Sequence, residues 1–144
     1  MSCLLFGLGC GAPAPPAPKK IEWVSAPSGA VAPLVKNEEA RAQRDGRRVL
    51  VYVGATWCEP CRRFHEAVKS GQLDEQFGQL RFIEFDLDRD NERLAEAGYL
   101  PKMIPLFAVP DAEGLATPHQ MEGSIKGSGA VAQMAPRLHA LLAN

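Results

Sequence analysis

Cys58 and Cys61 stand two residues apart at the point where one structural period gives way to another. Ahead of them, Val49-Leu50-Val51-Tyr52-Val53 is a continuous apolar run, the pattern of a strand covered on both faces. Behind them, Cys61, Phe64 and Val68 recur at helical spacing, which predicts a helix from Cys58 to Lys69 with Arg62, Arg63 and Glu66 on its other faces. Pro60 falls in the first turn, where a missing N–H costs little. Two thiols at the junction of a buried strand and a helix make a redox centre, and they fix the kind of fold that can hold them.

Thiol–disulfide exchange needs one thiolate to attack and a second thiol to resolve the mixed disulfide. The spacing supplies both, with Cys58 at the helix N-terminus and Cys61 one turn in, facing back beneath it. Free N–H groups and the helix dipole favour negative charge at that terminus by up to ~2 kcal/mol, which draws the Cys58 thiol below its ordinary range. Glu59 sets a negative charge beside it and opposes an extreme shift. The expectation is a reductant or balanced exchanger rather than a strong oxidant. Two thiols carry the electrons, so no cofactor is called for.

The rest of the chain alternates in type. Ile21-Glu22-Trp23-Val24 suits a short edge strand, and Ala32 to Arg44 a helix stopped by Asp45-Gly46. Leu80 to Leu87 reads as a second inner strand and Asp90 to Ala97 as a helix closed by Gly98. Ile104 to Val109 reads as a third strand, Asp111 to Gly114 as a turn, and Thr117 to Gly123 as a hairpin partner at the sheet edge. Val131, Met134, Leu138, Leu141 and Leu142 give the last helix its apolar stripe, and Pro136 inside it predicts a kink or a late start. The predicted order is β-α-β-α-β-α-β-β-α, parallel strands first and an antiparallel pair last.

The front of the chain is of another kind. Residues 2–11 are apolar and small, residues 12–18 are mostly proline and alanine, and Lys19-Lys20 follow. The proline-rich piece reads as an extended spacer. The piece before it resembles the end of a bacterial lipoprotein signal, with Gly9-Cys10 as the cleavage point and an acylated Cys10 as the mature N-terminus. Residues 1–20 are therefore set apart from a domain at 21–144. The location that follows is the periplasm or the outer face of a bacterial membrane, reached through a lipid anchor, with the cytoplasm as the alternative.

Several chemistries are disfavoured. With 16 basic and 17 acidic residues the net charge is −1, and no basic block offers a site for nucleic acid. No apolar stretch approaches the roughly 18–20 residues that span a bilayer. A structural zinc site wants four ligands, and no second cysteine pair stands outside residues 1–20, even counting His65. Arg62, where covalent haem attachment needs histidine, argues against that group. His65, His119 and His139 read as solvated or edge residues, Met103 and Met134 as core fillers, and Trp23 as an anchor for the first strand. Asp86, Asp88 and Asp90 lack the glycine and distal glutamate of a calcium loop and read as a solvated loop.

Trp57-Cys58-Glu59-Pro60-Cys61, with Ile104-Pro105 lying 44 residues beyond Cys61, resembles the thioredoxin family, over about residues 21–144 and most closely over 48–110. The resemblance implies an α/β thioredoxin-like three-layer sandwich, a mixed central sheet with flanking helices. It implies a thiol-disulfide oxidoreductase, acting as a reductase on disulfide-bearing proteins. Trp57 would shape the docking surface, Pro60 would restrain the potential, and Pro105 would be cis with Ile104 pairing to the substrate backbone like an added strand. Apolar Ile104 resembles the reducing members. Where the family has a buried aspartate this chain has Tyr52, and where it has a lysine on the next strand this chain has Glu84, so a carboxylate serving the resolving thiol would have moved between strands. Cys-Glu-Pro-Cys also resembles the reductases of cytochrome c maturation, and the spacing resembles the terminal domain of periplasmic electron-relay reductases. A monomer fed by a membrane thiol-reductant donor is the expected working form. The rival is a binding or tethering module without redox turnover.

Overall fold

The computed structural model of the chain describes residues 11–14 and 19–144. Its central strand β2 (Arg48–Gly54) pairs in parallel with β3 (Leu80–Asp86) along its whole length, from Arg48 opposite Leu80 to Gly54 opposite Asp86. A short β1 (Glu22–Ser25) lies parallel to the outer side of β3. On the other side of β2 run two antiparallel strands, β4 (Leu106–Pro110) and β5 (Ala116–Glu122), so the sheet order is β1-β3-β2-β4-β5.

Alternation along the inner strands sends successive side chains to opposite faces. Leu50, Tyr52, Phe82 and Phe107 point to a face covered by α2 (Glu59–Lys69) and α5 (Ala130–Ala143). Val49, Val51, Ile83, Phe85 and Leu106 point to the opposite face, covered by α1 (Val31–Arg44) and α4 (Leu87–Glu96). The apolar run needs no polar face because helices cover both of its sides. The result is the expected three-layer sandwich with a mixed sheet.

Four local expectations change. A one-turn helix α3 (Asp74–Phe77), too short for a periodic signal, precedes β3 and buries Phe77. Strand β3 ends at Asp86, whose carboxylate accepts the N–H groups of Asp88 and Arg89 and so starts α4 at Leu87 rather than Asp90. Asp86, Asp88 and Asp90 are thus a cap and a first turn, not a solvated loop. Helix α5 starts at Ala130, six residues before Pro136, so the late start is not found; Pro136 lies on the exposed side, opposite buried Met134, Leu138 and Leu141.

Two ion clusters fasten the edges. Buried Arg81 of β3 reaches Glu22 of β1 at 2.6 Å and also Asp45, at the end of α1. Asp90, 3% exposed, accepts from Arg89 and Arg93 and from the backbone N–H of Asp86, and Arg93 goes on to the carbonyls of Pro27 and Gly29. Burial pushes the Asp90 carboxyl up, but the bonds from Arg89, the Asp86 backbone and Arg93 outweigh it and hold the group below its ordinary 3.8. A depressed folded-state value stabilises the fold above the unfolded value and loses that contribution as pH falls. Asp90→Asn is expected to lower unfolding free energy at pH 7 by about 2 kcal/mol. The gap between variant and wild type should close as pH drops through 3.8 and below in denaturant melts.

Candidate active site

Strand β2 ends at Gly54, and after three intervening residues the chain turns into α2 with Cys58 as the N-cap. Cap backbone is extended (φ −80°, ψ 108°), which aims the Cys58 side chain back over the first turn. Its Sγ accepts the Cys61 N–H at 3.3 Å, taking the place of the oxygen that serine or aspartate would supply. Cys58 and Cys61 are joined in a disulfide, S–S 2.11 Å, with Cα atoms 5.2 Å apart. Only 5% of Cys58 and 2% of Cys61 is exposed.

The two sulfurs face different spaces. Cys58 lines an outer groove of about 380 Å³ with Trp57, Pro60, Met103 and Ile104 among its walls. Cys61 lines an inner pocket of about 320 Å³ with Tyr52, His65, Glu84 and Asp86. The disulfide is the partition between them.

On the outer side, Trp57 is 65% exposed and its indole N–H donates to Asp88 at 2.8 Å, which fixes the ring beside Cys58. The Glu59 carboxylate accepts from Arg63 at 2.8 Å and from the Gly127 N–H at 3.1 Å. Those two bonds, Arg63 first, hold Glu59 below the usual carboxylate range, and its charge is matched by Arg63 rather than set fully against the sulfur. The Ile104–Pro105 peptide is cis. Among the described residues neither the N–H nor the C=O of Ile104 has a hydrogen-bond partner. Met103, expected in the core, is 61% exposed on the groove wall, because the Glu122 carboxylate takes the N–H groups of Lys102 and Met103 and turns that loop outward.

On the inner side, Tyr52 of β2 and Glu84 of β3 are register partners. The Tyr52 hydroxyl is buried and, among the described residues, has no hydrogen-bond partner. Burial, with a smaller push from the Glu84 carboxylate, raises its pKa well above the ordinary tyrosine value, so it stays protonated. The ring fits because Gly54 has no side chain; a Cβ there would meet Tyr52 Cε1 at 2.9 Å. Glu84 Oε1 lies 2.8 Å from His65 Nε2, and Trp23 stacks on the imidazole at 4.3 Å.

Sequence reasoning placed Trp57, Cys58, Glu59, Pro60, Ile104 and Pro105 at one site; the fold brings the first five to one groove, with Pro105 buried behind Ile104. Glu84 lies behind it, in the pocket of Cys61. His65, read as an edge residue, joins that pocket, and Trp23 does more than anchor β1. The i, i+4 step from Cys61 to His65 on one helix was the available signal. His119 and His139 are exposed, the latter against the Phe77 ring. Cys10 and most of the front segment lie outside the described residues.

No protein-family model matches the chain. In sequence it is 34% identical to Thioredoxin-1 of Schizosaccharomyces pombe over 85 residues, 56% of this chain and 80% of that protein. In structure it is similar to a Trichomonas vaginalis thioredoxin, with a TM-score of 0.54 at 22% identity over 85% of this chain and 96% of that one. Oxidised thioredoxin O1 of Arabidopsis thaliana superposes with a TM-score of 0.50 at 15% identity, covering 87% and 96% of the two chains. The structural likenesses give the fold and the fungal relative gives the lineage: this chain belongs to the thioredoxin family and is a thiol-disulfide oxidoreductase.

Proposed function

We propose that the protein is a disulfide reductase in which Cys58 attacks and Cys61 resolves. The observation that carries this reading is that the two sulfurs line different spaces, Cys58 the groove it shares with Trp57 and Ile104, Cys61 the pocket it shares with His65 and Glu84. In the dithiol form the Cys58 thiolate attacks one sulfur of a substrate disulfide. That S–S bond breaks, the departing sulfur takes a proton, and a mixed disulfide forms on Cys58. Cys61 then loses its proton and attacks the Cys58 sulfur, releasing the second substrate thiol and forming the internal disulfide. Two electrons pass to the substrate, and a dithiol donor must return them.

The Cys61 N–H aimed at Cys58 Sγ supports a stabilised thiolate there. The unpartnered backbone of Ile104 supports pairing with an extended substrate segment. For the resolving step, Cys61 is nearly sealed, and its proton must leave through the inner pocket. Glu84, paired with His65, is the acceptor we assign there, with Thr56, Arg62, Asp86 and Tyr52 as the other polar residues lining it. Tyr52 stays protonated and serves as a donor only. The front segment supports a membrane-held protein in an oxidising compartment, which would then draw electrons from a membrane thiol-reductant conduit.

Insulin-disulfide reduction driven by a dithiol donor tests the main claim. Cys58→Ser should fall to the uncatalysed background and Cys61→Ser should accumulate the mixed disulfide; full turnover by Cys58→Ser rejects the reading. Glu84→Gln should slow decay of a preformed mixed disulfide by about tenfold at neutral pH and displace its pH profile. That is less than the ~10² of a positioned general base, because the half-buried pocket admits water. Unchanged rates from pH 5 to 9 would remove Glu84 from the mechanism. Mass spectrometry of the mature N-terminus should find a diacylglyceryl group on Cys10, and an unmodified residue there rejects the anchor.

A further inference from the structure

The groove that reaches Cys58 combines exposed apolar side chains with two lysines that, among the described residues, no carboxylate pairs. Trp57 is 65% exposed and Met103 61%, and Ile125, beside the groove, is 53%. Three large apolar groups exposed together mark a surface for a protein partner. They are presented rather than left over. Glu122 pins the backbone of Lys102 and Met103, and Gly123, at φ +67°, has no side chain, so Met103 can lie across it. A Cβ on Gly123 would stand 3.3 Å from that of Met103.

The charged groups around the groove are unequally satisfied. Every carboxylate there already holds donors: Glu59 has Arg63 and Gly127, Asp88 has the Trp57 indole, and Glu122 has two backbone N–H groups. Lys102 and Lys126 line the groove, both are exposed, and among the described residues neither ammonium has a carboxylate within 4.0 Å. The carboxylates keep their charge but are already engaged, so the two lysines are the groups at the groove with charge left to offer a partner.

We propose that the groove selects an acidic polypeptide segment. The occupant is an extended stretch of a disulfide-bearing protein whose reactive cysteine is flanked by an apolar side chain, seated on Trp57 and Met103, and by aspartate or glutamate, which meets Lys102 and Lys126. Its backbone pairs with the open N–H and C=O of Ile104. The inference rests on the reductase reading and names its substrate class. Exposed pairs of this kind act chiefly on encounter rate and register, and salt screens them.

The test compares three disulfide peptides that differ only in the residues flanking cysteine: aspartate and glutamate, glycine and serine, or lysine. Wild type should reduce the acidic peptide with a kcat/KM about tenfold above the lysine peptide at low ionic strength, and the ratio should approach one in high salt. Lys102→Glu with Lys126→Glu should invert the order. Equal rates for the acidic and lysine peptides, a preference for the lysine peptide, or a preference that survives high salt overturns the proposal. The wild-type salt series alone decides the matter should the double variant fail to fold. Reduction of none of the three peptides, the neutral one included, would count against the reductase reading itself.

Discussion

A sulfur serves as the cap of a helix, and the rest of the site is arranged around that contact. Because Cys58 must close the first turn of α2, it has to lie at the end of β2 with extended backbone and an inward-turned side chain. Because the next free N–H belongs to Cys61, the group that stabilises charge on one sulfur is the backbone of its redox partner. Local helix chemistry and electron exchange therefore use the same atoms. A substitution that leaves no acceptor at position 58, such as alanine, uncaps the helix as well as inactivating the centre, whereas serine keeps a cap and removes only the redox chemistry.

Packing explains why the arrangement holds. Phe64, one turn beyond Cys61, is fully buried among Tyr52, Phe82 and Phe107 in edge-on and stacked contacts, so α2 cannot roll on the sheet. The wall of the inner pocket is less local. It takes Glu84 from β3 and His65 from α2, Trp23 of β1 stacks on that imidazole from outside, and the Arg81 cluster ties β1 to β3. The pocket behind the resolving sulfur thus depends on an edge strand four residues long.

What could be read from the chain follows from the range of each signal. The continuous apolar run of β2, the stripe of α2 and the thiol spacing are local patterns, and all three are found where the residues indicate. The cap at Asp86 is local too, yet the run of β3 passes straight into it, so the boundary fell at Leu87 by continuity of hydrophobicity alone. Met103 looked like core because its exposure is imposed by Glu122, nineteen residues away. His65 looked idle because its partners, Glu84 and Trp23, meet it only in three dimensions. Pro136 does not delay the start of α5, because a proline on the exposed side is tolerated in a helix that packing holds on its other side.

The parallel pairing of β1, β3 and β2 fixes which pole of the domain each end of those strands occupies. Lys19 and Lys20 are held beside the start of β2, through the carbonyl of Asp45 and the guanidinium of Arg47, whereas Cys58 follows its finish. Seven strand residues separate the two poles by about 23 Å at ~3.3 Å per residue. The chain therefore enters the domain at Lys19 from the pole opposite the one where Cys58 stands. Strand direction alone thus sets the point of entry and the reactive sulfur a sheet's length apart.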